Sequence, residues 1–220
     1  MPAGPSIVHA TLPHTLNVAV HVTFGTAALA FGLVPIVTVK GGPRHRQFGR
    51  WFLRCLSVIV VTAIIGIVAF EFRAFLGVIT MLAAYTGYSG YRAVARKSAG
   101  PERRDTVAAA AALVATALFL AYLRAVHLPW APVVIYSTLG ALVFVAGYDL
   151  VRLAFPRAWF GRIWVYEHLV KMLSAYNAVV SAFAGTVLSA WQPYSQILPS
   201  AVGSAVMLFF ILRQPVRLAT

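Results

Sequence analysis

Glu167, His168, Lys171 and Asn177 lie together in one otherwise apolar stretch, Trp164 to Ala190. The stretch is long enough to cross a bilayer. An ionisable side chain placed in hydrocarbon costs at least ~2.5 kcal/mol, so such residues turn toward a bundle interior and commonly mark a site. The chemistry on offer is proton exchange and anion recognition. His168 titrates near neutral pH, Glu167 takes or gives a proton, Lys171 pairs with an anion and Asn177 orients one. Glu167 and Lys171 are four apart with the acid first, the order that favours a helical ion pair. A stable interfacial pair with Lys171 snorkelling accounts for those two residues. It leaves His168, Asn177 and the small face through Trp164, His168, Lys171, Ala175, Ala178, Ala182, Gly185 and Ser189 without a role.

Three further residues extend the set. His21 lies on a second small-and-polar face, Asn17, His21, Gly25, Ala28, Gly32 and Pro35, at steps of three and four. That spacing reads first as a tight helix–helix seam with His21 bonding across it. His45 and Asp149 belong to the same side of the chain as His168. Asp149 has a plain partner in Arg152, three residues on. If His45, Asp149, Glu167 and His168 converge, they form a proton-accessible or metal-capable cluster. The histidines also pose a haem question, since His21 with His127, and His45 with His168, fall in opposite halves of the chain's span. Two such pairs are what a transmembrane two-haem electron wire requires. Against it, His127 and His45 lie in links and no attachment motif is present. Tyr85, Tyr88 and Tyr91 are expected as interfacial anchors. Metalloprotease, nucleophile-elbow, phosphate-loop and paired-cysteine signatures are absent.

These residues need helices to hold them. The chain is 60% hydrophobic and only 10% charged, with a mean hydropathy of +0.82. A water-soluble domain of this size carries far more charge. At ~20 residues per span, 220 residues accommodate about seven spans with short links. The expected helices are about Leu16–Val39, Phe48–Phe70, Ala74–Ala93, Asp105–Ala125, Pro129–Leu153, Arg162–Ala190 and Gln196–Leu212. Breakers at Gly41-Gly42-Pro43, Gly100-Pro101, Pro156 and Pro193 separate several of them. Cys55 sits in an apolar run and reads as core filler.

The charges orient the bundle. Lys40, Arg44, Arg46, Arg50 and Arg54 occupy the 1–2 link. Arg92, Arg96, Lys97, Arg103 and Arg104 occupy the 3–4 link. Arg152, Arg157 and Arg162 follow helix 5, and Arg213 and Arg217 close the chain, while the other side has only Arg73 and Arg124. By the positive-inside rule this places the N-terminus outside and the C-terminus in the cytoplasm. The formal charge of +13 thus points to anionic headgroups and not to nucleic acid. The expectation is an all-α, seven-helix polytopic bundle in a bacterial cytoplasmic membrane. It is one integral domain over 1–220, with 1–14 as a short extracytoplasmic tail and 15–213 as the bundle. A faint internal echo links Pro43–Trp51 with Pro156–Trp164, as in transporters built from repeats.

The run His21…Gly25…Gly32…Lys40-Gly41…His45-Arg46…Gly49-Arg50 resembles a broad group of uncharacterised bacterial multi-pass membrane proteins, a domain-of-unknown-function family with an H…G…KG…HR..GR pattern. Tyr88…Gly90-Tyr91-Arg92-Ala93 is similar to that group's third-helix end, and Asp149 and His168-x-x-x-Met172 to features of its second half. An Arg expected before the Met is Lys171 here. The resemblance implies fold and location but no settled activity. Three functions follow from the residues. One is a transporter- or transfer-type protein with a polar His/Glu/Lys site between helices 1, 2, 5 and 6. The others are a b-type haem electron-transfer protein, and a non-catalytic subunit of a membrane complex or homo-oligomer.

Overall fold

A computed structural model describes residues 11–126 and 131–213. They form seven α-helices: α1 (Leu12–Val37), α2 (Pro43–Ala69), α3 (Ala74–Arg96), α4 (Arg103–Val126), α5 (Pro132–Val151), α6 (Arg157–Val187) and α7 (Tyr194–Arg213). Several helices start earlier than hydropathy suggests. α2 opens at Pro43, five residues upstream, because proline at the first helical position loses no hydrogen bond. α6 likewise starts at Arg157, directly after Pro156. Hydropathy marks the lipid-facing length, whereas the helices run on through their charged ends. The proposed fifth-helix start, Pro129, lies outside the described residues.

Five helices, α1, α2, α4, α5 and α7, are long and apolar enough to cross a membrane. Their outer faces carry large apolar side chains in the open, among them Val68, Phe144 and Leu212 at 74–80% exposure. Apolar surface on this scale does not face water, and it marks a membrane-embedded helical bundle. α3 and α6 fall short of that hydropathy. They are the helices at the centre: α3 packs along α6, and between them they touch α1, α2, α4, α5 and α7. A helix sheltered by other helices has no need of an apolar circumference. The same shelter lets polar groups sit on α3 and α6.

The α6 stripe turns inward, with Ala175 and Ala178 buried against the core that also holds Cys55, Phe52 and Leu56. Glycine allows close approach at Gly90 of α3, where a Cβ would stand 2.9 Å from Met172 Sδ and 3.1 Å from Lys171 Cβ. The basic links gather at one end of the bundle. Lys40 lies over the Phe210 ring near the end of α7, and Lys97 over Trp164 near the start of α6. Arg92 braces the α3–α4 link, with Nε 2.6 Å from Asp105 Oδ1 and Nη2 2.6 Å from Glu102 Oε2. That guanidinium holds the Glu102 carboxyl below the usual glutamate range. The segments of the internal echo occupy equivalent places, the first turns of α2 and α6. Their neighbours differ, since α2 packs along α1 whereas α6 packs along α3 and α7.

Candidate functional site

Lys171 is almost wholly buried, at 2% exposure. It reaches across from α6 to α5, where its Nζ donates to Asp149 Oδ1 at 2.5 Å. Tyr85 of α3 donates its hydroxyl to Asp149 Oδ2 at 2.6 Å. Arg152, one turn after Asp149, brings Nε to 3.1 Å from Oδ1, an ion pair without hydrogen-bond alignment. Its Nη1 donates to Glu167 Oε2, and Tyr148 donates to Glu167 Oε1 at 2.8 Å. Two cations and two carboxylates thus form one neutral, closed network at the junction of α3, α5 and α6. Each carboxylate oxygen has a donor, which is what makes charge tolerable in a low-dielectric interior.

The geometry corrects several expectations. Glu167 and Lys171 do not pair with each other, although their spacing allows it. Each finds a partner on α5 instead, because both side chains leave α6 toward that helix. Arg152 is no link charge facing headgroups; it is 4% exposed. Tyr85 is not an interfacial anchor, being buried at 7%, whereas Tyr88 and Tyr91 are exposed. The network has α3 as a wall, a helix absent from the expected 1, 2, 5, 6 arrangement, while α1 takes no part in it. Sequence reasoning missed Tyr85 and Tyr148 as network members; it anticipated Arg152 only as the partner of Asp149 three residues before it, a pair the structure contains, and not its bond to Glu167. Tyr148-Asp149-x-x-Arg152 held a signal, since an acid and a base one turn apart beside a tyrosine repeat the pattern of α6.

His168 lies beside this network, three residues before Lys171 on the same helix. Its Nδ1 sits 3.0 Å from the Gly90 carbonyl oxygen. His45, in the first turns of α2, has Nδ1 3.1 Å from the Pro35 carbonyl oxygen. The two rings approach edge-on, with centroids 6.2 Å apart. A carbonyl only accepts, so both histidines carry their proton on Nδ1 when neutral, which leaves each Nε2 as a free acceptor. The Pro35 carbonyl is open because it lies in the last turn of α1, which ends at Val37, where carbonyls have no helical N–H ahead of them.

The remaining candidates lie elsewhere. His21 Nδ1 is 2.9 Å from Thr62 Oγ1, and Asn17 donates to the Thr62 carbonyl oxygen at 3.1 Å. Both therefore stitch α1 to α2, the seam reading of that face. Asn177 packs its amide against Gly203 of α7. His127 lies outside the described residues, so the pairing of His21 with His127 has no geometry here. Among the described residues no group of three or more His, Cys, Asp or Glu side chains is arranged to hold a metal ion. Convergence is thus partial: Asp149, Glu167 and Lys171 meet directly, His168 and His45 meet each other, and His21 and Asn177 stand apart. Comparison with family models, curated proteins and solved structures returned no match.

Proposed function

We propose that the protein moves an anion together with a proton across a bacterial cytoplasmic membrane, and that the Lys171–Asp149–Arg152–Glu167 network is its site. One observation carries this: two cations and two carboxylates balanced and buried among helices of a membrane bundle. Residues of this kind within a membrane mark ion pathways and proton relays. The network is neutral as it stands. A proton arriving on Asp149 or Glu167 leaves one uncompensated cation, and an anion entering beside Lys171 and Arg152 restores neutrality. Proton and anion therefore enter favourably only together. His45, half-buried at the basic end, and His168 behind it supply proton acceptors between the headgroups and the network. Opening requires α5 to part from α6, since Lys171 and Arg152 are closed off from solvent in this conformation.

Seven spans, with the N-terminus outside and the C-terminus cytoplasmic, belong to the same reading. α3 has 23 residues and α6 has 31, about 34 and 46 Å at ~1.5 Å per residue, against ~30 Å of hydrocarbon. The one-sided arginine distribution supports the orientation. Likeness to the bacterial multi-pass group with the H…G…KG…HR..GR pattern fits this location and carries no activity. The test is proteoliposomes loaded with a pH-sensitive dye under an imposed anion gradient. Wild-type protein acidifies or alkalinises the lumen faster than protein-free vesicles do, and Asp149→Asn and His168→Ala abolish the difference. Flux equal to that of empty vesicles, or unchanged in both variants, overturns the assignment.

A second reading rests on the His45–His168 pair. A histidine whose Nδ1 is bound by a main-chain carbonyl has the ring orientation and tautomer of a metal ligand. His45 and His168, with ring centroids 6.2 Å apart, would hold the iron of a b-type haem at the basic end. The group would supply one-electron transfer there. A Soret band in protein purified after haem supply, lost in His168→Ala, supports this reading; its absence in the wild type removes it.

A further inference from the structure

The outer face of α2 at the basic end takes no part in the buried network. Arg46, Arg50 and Arg54 follow one another at single-turn spacing, so their guanidinium groups line one stripe. With Pro43, Gln47 and Trp51 they bound a polar recess of about 450 Å³. The Arg54 guanidinium lies over the Trp51 ring, 4.7 Å from its centre, and both line the recess. A second recess of about 510 Å³ shares Arg50 and Arg54 and continues up the α2–α3 groove. Its lining is apolar: Leu53, Leu56 and Val60 from α2, with Tyr88 and Tyr91 from α3. Gly87 gives the groove its depth. A Cβ there would lie 2.5 Å from Leu56 Cδ2, so a larger residue would force Leu56 to shift into the groove space.

A cationic cup opening onto an apolar groove along one membrane helix matches an amphiphile with an anionic head and hydrocarbon tail. We infer that this face is a specific site for an anionic phospholipid, its phosphate held by Arg46, Arg50 and Arg54 and one acyl chain laid along the α2–α3 groove. Guanidinium groups suit the head because they bind phosphate through paired, charge-assisted hydrogen bonds. Tyr88 and Tyr91, both open to the surroundings, stand at the level where amphipathic rings meet headgroups. A second copy of the chain is a poor occupant. The protein has five Asp and Glu residues in all. Every one is engaged internally: Glu71 with Arg73, Glu102 and Asp105 with Arg92, Asp149 with Lys171, and Glu167 with Arg152. No Asp or Glu side chain is left without an internal partner to meet the arginine stripe. The site is independent of the transfer reading and requires only that the bundle lie in a bilayer.

The full chain is reconstituted in phosphatidylcholine vesicles containing a small fraction of brominated-chain phosphatidylglycerol, and tryptophan quenching gives the affinity of the anionic lipid relative to the zwitterionic one. The wild type is expected to prefer phosphatidylglycerol roughly 10-fold or more, the order set by several basic residues at a headgroup. Arg46→Gln/Arg50→Gln/Arg54→Gln brings that ratio near one. Arg50→Gln alone, which touches both recesses and spares the fold, lowers it by roughly 3- to 5-fold. Glycerol phosphate, a head without a tail, does not compete at millimolar concentration. A wild-type ratio near one, a preference that survives both variants, or displacement by glycerol phosphate each overturns the proposal, the last by showing a site for a soluble anion.

Discussion

Lys171→Met keeps an unbranched side chain one atom shorter and deletes its charge. Asp149 then retains the Tyr85 hydroxyl at 2.6 Å and the Arg152 guanidinium at 3.1 Å, but the buried network carries one net negative charge. The Coulomb attraction of an ion pair at 2.5 Å is roughly 7 kcal/mol at an effective dielectric constant of about 20. Desolvating the two ions offsets much of that, and removing one partner of a buried pair costs about 3–5 kcal/mol. Because Arg152 remains, Lys171→Met belongs at the lower end, ~3 kcal/mol. Asp149→Leu leaves two cations facing Glu167 alone and costs ~3–5 kcal/mol. The double variant Lys171→Met/Asp149→Leu keeps the Arg152–Glu167 pair and is neutral again. It should be more stable than the sum of the single losses predicts by ~2 kcal/mol or more, within the range seen for coupled neighbours. Reversible unfolding in mixed micelles, followed by far-UV circular dichroism, measures all three. Single losses below ~1 kcal/mol, or additivity within ~0.5 kcal/mol, would refute the claim that these charges act as one buried unit.

Other outcomes follow from individual contacts. Gly90→Ala pushes a methyl against Met172 Sδ and Lys171 Cβ and should cost about 1–3 kcal/mol, whereas Gly25→Ala meets no atom within 4 Å and should be neutral or stabilising by up to ~1 kcal/mol; the same unfolding measurement separates them. His21→Ala deletes the α1–α2 bond to Thr62 and should cost ~1–2 kcal/mol while leaving vesicle flux unchanged, since His21 lies outside the network. Glu102 is depressed by its bond to Arg92, so this clamp is intact above the usual glutamate range and is lost as pH falls through the lowered value. Amide protection in the α3–α4 link, corrected for the intrinsic exchange rate, should therefore fall only below the usual glutamate range in the wild type, and Glu102→Gln should show the lowered protection already at neutral pH.

Helix number, approximate bounds and the separation of basic from nonbasic ends were legible from hydropathy and charge alone. Those signals are local, because each span must satisfy its own backbone hydrogen bonds and each link its own charge. The inward turn of the α6 stripe was legible too, since alanine and glycine at helical spacing leave no bulk to present to lipid. The partners were not. Glu167 and Lys171 stand four apart and read as a pair, yet each reaches an opposite charge at the end of α5 instead, Arg152 and Asp149. Arg152 read as a loop charge because it follows an apolar helix directly, and only the approach of α6 buries it. Tyr85 shares a run with Tyr88 and Tyr91, and their different fates depend on which side of α3 faces Asp149.

What the chain determines by itself is therefore one-dimensional: how many helices, which ends carry the cations, and which residues are too costly to leave in hydrocarbon. Which charge meets which is a property of how α3, α5 and α6 come together. Long side chains on neighbouring helices have several opposite charges within reach, and the packing of the backbones around Gly90 selects among them. A helix repeat can align residues on one face, but it contains no record of the face across from it.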